Sequence, residues 1–291
     1  MVLSPAEKSY IYDSLIASTP LRPDSRKPQQ FRPLKATCSI LPNANGSSRI
    51  YTADGIECLS SIKTRVVRVP AKKAPLIEDL IHVAFEIQGQ RDDTTLVTHT
   101  CTLIKQSLLN LNINLLKLTQ RYYYELHIDV VILAVPNDFG TNSYTLNSLV
   151  SLGSMSVYLA LKSTKLPLVT SQVEGDLEEE PTFSDDWESS ELLFKNDEPV
   201  LLFVVGIAGS NVIIDPSLEE QQVLDHGLCI GWKGECVSPI ESLLMSKEAG
   251  KAINQALIFK SLDLIKQIGN EVINALDTIA SQEVDAFQLA F

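Results

Sequence analysis

The chain has 291 residues, of which 45% are hydrophobic and 21% charged, a composition that excludes a disordered tail protein and supports a sizeable core. Its net charge of −12 excludes a uniformly basic nucleic-acid binder. That charge is local, because Glu174 to Glu198 holds eleven acids against one base, Lys195, and so carries −10 of the total.

Ser4-Pro5-Ala6-Glu7 is a capping box with proline at the first helical position, and it predicts a short helix through Tyr10, Ile11 and Leu15 that stops before Pro20. Residues 20–33 hold four prolines and four basic residues, which predicts an extended arm. From Leu34 to Arg68 the pattern is strand-like, with turns at Asn45-Gly46 and Asp54-Gly55. Leu80 to Ile87 alternates as a strand, and Thr94 to Leu111 has helical spacing. Tyr122 to Val135 is a long strand whose run Val130 to Val135 predicts burial on both faces.

A helix over 144–163 follows, with one apolar stripe through Leu146, Leu149, Val150, Gly153, Val157, Ala160 and Leu161. The acidic stretch 174–198 reads as an exposed, mobile loop. Val200 to Ala208 is a buried strand and Val212 to Ile214 its partner. Leu228 to Trp232 and Glu235 to Pro239 form a hairpin around Gly234, and Ala249 to Ile279 is a long helix. Strands, helix, strand and helix, then strands and helix again, predict an α+β fold of two similar halves.

Five cysteines without a Cys-x-x-Cys read as reduced thiols in a cytosolic or nuclear protein. Residues 1–20 carry Glu7, Lys8 and Asp13 and no apolar stretch, so no secretory leader is expected, and the longest uncharged run, Phe139 to Leu161, has one apolar stripe where a membrane span would be apolar all round. His82, His99, His127 and His226 lie far apart, so no metal site is expected. No nucleotide-binding glycine motif occurs, and no cofactor is expected. The acids Asp215, Glu219, Glu220 and Asp225 follow a buried strand. With no basic partner in view, a helix cap at Asp215 or Ser217 is favoured over a metal or acid–base site. Lys63 to Lys73 holds five bases and no acid, which fits a solvated strand edge or contacts to RNA phosphates equally.

Leu21-Arg22-Pro23-Asp24-Ser25-Arg26 opens an ordered set of segments that continues with Arg32-Pro33, Asn45 to Arg49, Asp54-Gly55, Gly89-Gln90-Arg91-Asp92-Asp93 and Ile213 to Glu220. In this order they resemble the ribonuclease PH-like ring subunits of the RNA exosome, with Ser25 in place of a glycine in the opening, and the resemblance runs from about residue 4 to 279. It implies a ribonuclease PH-like fold (ribosomal protein S5 domain 2-like) of two related β-α-β-containing halves. The expected division is an N-terminal helix and arm over 1–30, a first half over 31–173, the acidic surface loop 174–198, and a second half over 199–291.

The resemblance also implies a six-membered ring of related subunits, S1/KH-type cap subunits on it, and RNA threading its centre. It implies a nuclear and nucleolar location, with a cytoplasmic pool. Active members degrade RNA from its 3′ end with inorganic phosphate, which an arginine in an Asp-Gly-Gly-Thr-Arg turn holds. The matching turn here is Asp138-Phe139-Gly140-Thr141-Asn142. Asn142, next to Thr141, stands at the arginine position and supplies neither charge nor a guanidinium fork. The family's catalytic aspartates would fall near Glu220 and Asp225 or His226. The expectation is a non-catalytic ring subunit supporting RNA processing and degradation, with Lys72, Lys73 and Arg91 as RNA contacts. The competing reading is a phosphate-dependent 3′–5′ exoribonuclease. The acidic stretch has no counterpart in the family pattern, and it reads as a tolerated insertion, a shield against RNA or a meeting point for a basic partner.

Overall fold

The computed structural model describes residues 3–70, 75–119, 121–135, 147–170, 180–186, 189–194, 197–245 and 253–288. Helix α1 (Pro5–Ile16) is capped as its sequence predicts: the Glu7 amide donates to Ser4 Oγ and the Ser4 amide to the Glu7 carboxylate. Strands β1 (Leu34–Cys38), β2 (Gly46–Thr52) and β3 (Glu57–Arg68) form an antiparallel meander. A single turn, α2 (Ile77–Leu80), leads into β4 (Ile81–Ile87), which connects through α3 (Thr95–Leu108) to β5 (Tyr122–Ala134). Strand β5 runs parallel to β4 and antiparallel to β3, giving a five-stranded sheet in the order β1-β2-β3-β5-β4.

Helix α4 (Ser148–Lys162) comes next, then a two-stranded ribbon of β6 (Lys165–Leu166) and β7 (Glu191–Leu192). The second sheet has the order β11-β10-β8-β9, built from β8 (Leu201–Ala208), β9 (Asn211–Ile214), β10 (His226–Trp232) and β11 (Cys236–Leu243). One turn of helix, α5 (Leu218–Gln221), joins β9 to β10. The chain closes with α6 (Gln255–Gln288), which ends later than residue 279. The expected helical start at Ala249 lies outside the described residues.

Helix α4 is the centre of the molecule. Every side chain from Ser148 to Leu161 is buried, where the sequence predicts one apolar stripe. The reason is position: α4 packs on β2 and β3 with one side and on β8 with the other. Its serines make that burial possible. Ser151 Oγ accepts from the Val204 amide and Ser154 Oγ from the Leu202 amide, both at 2.9 Å. They satisfy the N–H groups of β8 on the side where β9 ends. On the opposite sheet, Ser48 Oγ donates to the Ser156 carbonyl and Ser60 Oγ donates to Ser156 Oγ.

Strand β5 differs from expectation for the complementary reason. Val130 and Ile132 are fully buried but Val131 and Leu133 are only half-buried, because helices α3 and α4 cover one face of that sheet. The acidic stretch is not simply a loose surface loop: among its described residues Phe183 packs on the Tyr124 ring and Leu193 and Phe194 are buried. Apolar residues interleaved with the acids anchor it.

Helix α6 is pinned at two points. Trp232 Nε1 donates to Asn270 Oδ1, and its indole lies so close to Gly269 that a Cβ there would sit 2.6 Å from Nε1. Tyr158 of α4 donates to Asp277 at 2.8 Å, and Lys162 pairs with the same carboxylate. Burial and the Asp277 charge hold the Tyr158 hydroxyl protonated well above the ordinary tyrosine range. No described helix is long and apolar enough to cross a membrane.

Candidate functional site

The arm after α1 lies against the second sheet, where its arginines meet the acids that follow β9. Arg22 makes two parallel hydrogen bonds to Glu220, Nε to Oε1 and Nη2 to Oε2, each 2.7 Å. Its guanidinium also donates to the carbonyls of Ile214 and Asp215. Arg32 grips Asp215 in the same way, Nη2 to Oδ1 at 2.6 Å and Nε to Oδ2 at 2.9 Å, and its backbone N–H donates to Oδ2 at 3.0 Å. Arg26 Nη1 adds a contact to Asp215 Oδ2 at 3.1 Å, and Asp54 takes the remaining side of Arg32 at 2.8 Å. Arg26 Nη2 is buried without a partner.

Local structure places these groups. Asp215 sits in the left-handed region at φ 46°, which turns the chain out of β9 and aims the carboxylate inward. Ser217 caps α5 in a capping box whose N3 residue is Glu220, so that carboxylate accepts from both the Ser217 amide and Arg22. Asp215 is 4% exposed and Glu220 0%. Burial alone would raise the Asp215 pKa, but the Arg32 and Arg26 charges and the Arg32 hydrogen bonds outweigh it and hold it below the usual carboxylate range. Burial opposes the Arg32 charge, and Asp215 and Asp54 more than restore it.

The premise of the cap reading for Asp215 therefore fails, since three basic partners arrive from almost two hundred residues upstream. Ser217 is the cap, and Asp215 is a buried counter-ion. Asp215 accepts four hydrogen bonds and Glu220 three, all from arginine and amide donors, so both act as fixed counter-ions in the interior. Among the described residues no group of three or more His, Cys, Asp or Glu side chains could hold a metal ion.

The remaining expected site residues scatter. Asp225 takes other partners than Glu220 does, the Tyr12 hydroxyl at 3.1 Å and the Gly209 amide at 2.8 Å, and His226 opens β10. Arg91 is exposed on the turn between β4 and α3. Lys63, Arg65 and Arg68 are exposed on β3; in register with the first two on β5 stand His127 and Glu125, and His82 stacks on His127 and pairs with Glu125 at 2.6 Å. Lys72, Lys73, Thr141 and Asn142 lie outside the described residues. All five cysteines are free, and burial pushes the Cys58 and Cys229 thiols up to about 12. Sequence reasoning missed the pairing of the arm with the acids. The available signal was a run of arginines in a proline-stiffened segment and a set of acids at the end of a buried strand.

The fold is that of the ribonuclease PH-like subunits of the exosome core. The archaeal exosome core superposes with a TM-score of 0.66 at 15% identity, over 94% of this chain and 96% of that one. The Archaeoglobus fulgidus exosome with RNA bound to the active site gives 0.64 at 16% identity, over 93% and 97%. Rice (Oryza sativa) Rrp46 gives 0.60 at 14%, over 89% and 100%. No family model matches the chain. Exosome complex component RRP42 of Saccharomyces cerevisiae is 34% identical over 284 residues, 96% of this chain and 100% of its own length. The rrp42 component of Schizosaccharomyces pombe is 25% identical over 296 residues, 97% and 96% of the two chains. The chain belongs to the RRP42 family of exosome complex components.

Proposed function

We propose that the chain is a non-catalytic structural subunit of the exosome ring, which supports 3′–5′ RNA processing and degradation by helping to build the RNA channel. The observation that carries this reading is the occupation of the second-sheet acids. Asp215 and Glu220, the buried carboxylates beside β9, are held by Arg32, Arg26 and Arg22 as fixed counter-ions. A general acid or a metal ligand works best with accessible lone pairs and an exchangeable proton, and these two buried carboxylates are instead committed to seven hydrogen bonds from arginine and amide donors. Asn142 in place of a phosphate-binding arginine supports the same conclusion from the sequence, since orthophosphate bound there would lack a compensating cation. The partners on this reading are other ribonuclease PH-like subunits, cap subunits of S1/KH type, and RNA. The cellular sites are the nucleus, nucleolus and cytoplasm.

Two measurements test it. Purified chain incubated with single-stranded RNA and phosphate should release no nucleoside diphosphate. Release that disappears in Asp225→Ala overturns the reading. In the reconstituted ring, Arg91→Ala should leave assembly intact and lower the slope of log affinity for RNA against log salt by about 0.7, one phosphate contact on a single strand.

A further inference from the structure

Strand β11 is the outer strand of the second sheet and pairs on one side only, with β10. The turn at Gly209-Ser210 fixes which of its peptide groups face inward. Ala208 and Asn211 close that turn, so the backbone groups of Ala208, Gly206 and Val204 face β9, and the Val204 carbonyl accepts from the Asp215 amide. Those of Ile207, Val205 and Phe203 then face β10, where they meet His226, Leu228 and Ile230. By the same alternation Gly227 and Cys229 face β11 and meet Leu243 and Glu241. The peptide groups of Ile240, Ser242 and Leu244 are left pointing off the free margin. At one end the Asn147 side chain donates to the Leu244 carbonyl at 2.8 Å, and at the other the Asn110 side chain donates to the Ser238 carbonyl at 2.7 Å. Between these two amides no described residue outside β10 and β11 bonds the N–H or C=O of Ile240 or Ser242.

The large side chains on this margin are aliphatic. Ile240 is 48% exposed and Leu244, just past the end of β11, 62%, with exposed Ser242 between them. Ile240 stands opposite Ile230 and Ser242 opposite Leu228, so the margin carries the apolar face of β10 out into solvent. The chain's net charge of −12 is absent here: from Val237 to Met245 the one charged residue is Glu241, with His99 3.5 Å away. An open run of N–H and C=O groups accepts another extended strand, and apolar side chains at alternate positions select what that strand carries. The run Ile240, Ser242, Leu244 is its own complement. We propose that the margin of β11 pairs antiparallel with the same margin of a second copy of this chain, about a two-fold axis at Ser242. Ile240 then lies opposite the second copy's Leu244, and Ser242 opposite its counterpart. Each pair exchanges two backbone hydrogen bonds, and the aliphatic side chains meet on one face. Glu241 falls opposite the second copy's Leu243, so no like charges stand directly across the contact.

The contact is small against the roughly 800 Å² per partner of a standard interface, so the dimer is concentration-dependent. This pairing belongs to the free chain and does not depend on the ring assignment. Sedimentation equilibrium of the full-length chain between about 1 and 200 µM should follow a monomer–dimer isotherm without larger species, because a two-fold contact closes on itself. Ser242→Pro removes an outward N–H that bonds nothing within the chain, and Ile240→Lys puts a charge on the margin. Each should keep the melting temperature and weaken the dimer about tenfold or more. Leu76→Lys, at another exposed leucine outside the second sheet, should leave the dimer intact. A chain that stays monomeric over the whole range, association undiminished in both margin variants, or an equal loss in Leu76→Lys overturns the proposal. If the monomeric chain also needs an unaltered Ser242 to enter the reconstituted ring, the margin belongs to a neighbouring subunit instead.

Discussion

Arg22 and Glu220 face each other through a two-pronged pair of 2.7 Å hydrogen bonds, both side chains wholly buried, across 198 positions of sequence. Such a pair is weak evidence of net stability when both partners are present, because each ion gave up its hydration to get there. Breaking it is different. Arg22→Ala or Glu220→Ala should each cost about 3–5 kcal/mol, since the survivor is left charged in the interior. Urea unfolding of the two single variants and the double variant checks this. The double variant should lose much less than the sum of the singles, and simple additivity would refute the pairing.

Asp215 gives the pH dependence. Its folded pKa is depressed by Arg32 and Arg26 against the pull of burial, so the ionised form favours folding. The contribution is fully present above the unfolded value of about 3.9 and is lost as pH falls through the folded value. Asp215→Asn should therefore be destabilised strongly at neutral pH, and its deficit relative to the parent chain should shrink as pH falls below about 4. Denaturation curves at neutral and acid pH measure the difference. A deficit independent of pH would mean that packing, not charge, was lost.

The serines of α4 are predicted to matter more than their size suggests. Ser151→Ala and Ser154→Ala strip the Val204 and Leu202 amides of their acceptors within the core. Each should cost about 1–3 kcal/mol, the desolvation cost of an unmet buried donor, although alanine is the better helix former. Thermal melts of the two variants, with Ser281→Ala on exposed α6 surface as the control, provide the comparison.

Gly269→Ala carries a similar conflict between local preference and packing. Alanine would improve the helix by about 1 kcal/mol in isolation. In the fold its Cβ meets the indole of Trp232, which is fully buried and has nowhere to move. The variant should lose about 1–3 kcal/mol net and shift the tryptophan emission as the Trp232–Asn270 hydrogen bond opens. An unchanged spectrum together with raised stability would show that α6 slides to accommodate the methyl group.

Local chemistry made much of the fold legible. The Ser4-Pro5-Ala6-Glu7 box, the Asp54-Gly55 turn and the Gly234 hairpin are short-range signals, and each element they bound lies where the sequence predicts. Helix α4 was harder, because serine scores as surface in any periodic reading, and only a second sheet supplies the amides that justify its burial. The full burial expected of Val131 and Leu133 failed for the mirror-image reason, a sheet face that no described helix of this chain covers. The arm's arginines were invisible as partners of Asp215 and Glu220 because no local pattern encodes a pairing over that separation. Arg91 is legible as an exposed base, but exposure alone does not distinguish an RNA contact from solvent.

The arm's long reach has a consequence for biosynthesis. A ribosome releases Arg22 well ahead of Glu220, and at about 5–20 residues per second roughly ten to forty seconds of elongation separate them. During that interval three guanidinium groups and a proline-rich strap wait in solvent beside a half-made polypeptide. Anything anionic in the vicinity, including the transcript being translated, can hold them meanwhile. Final locking of the newborn chain is then an exchange of counter-ions, one that cannot finish until Glu220, about three-quarters of the way along the polypeptide, has emerged.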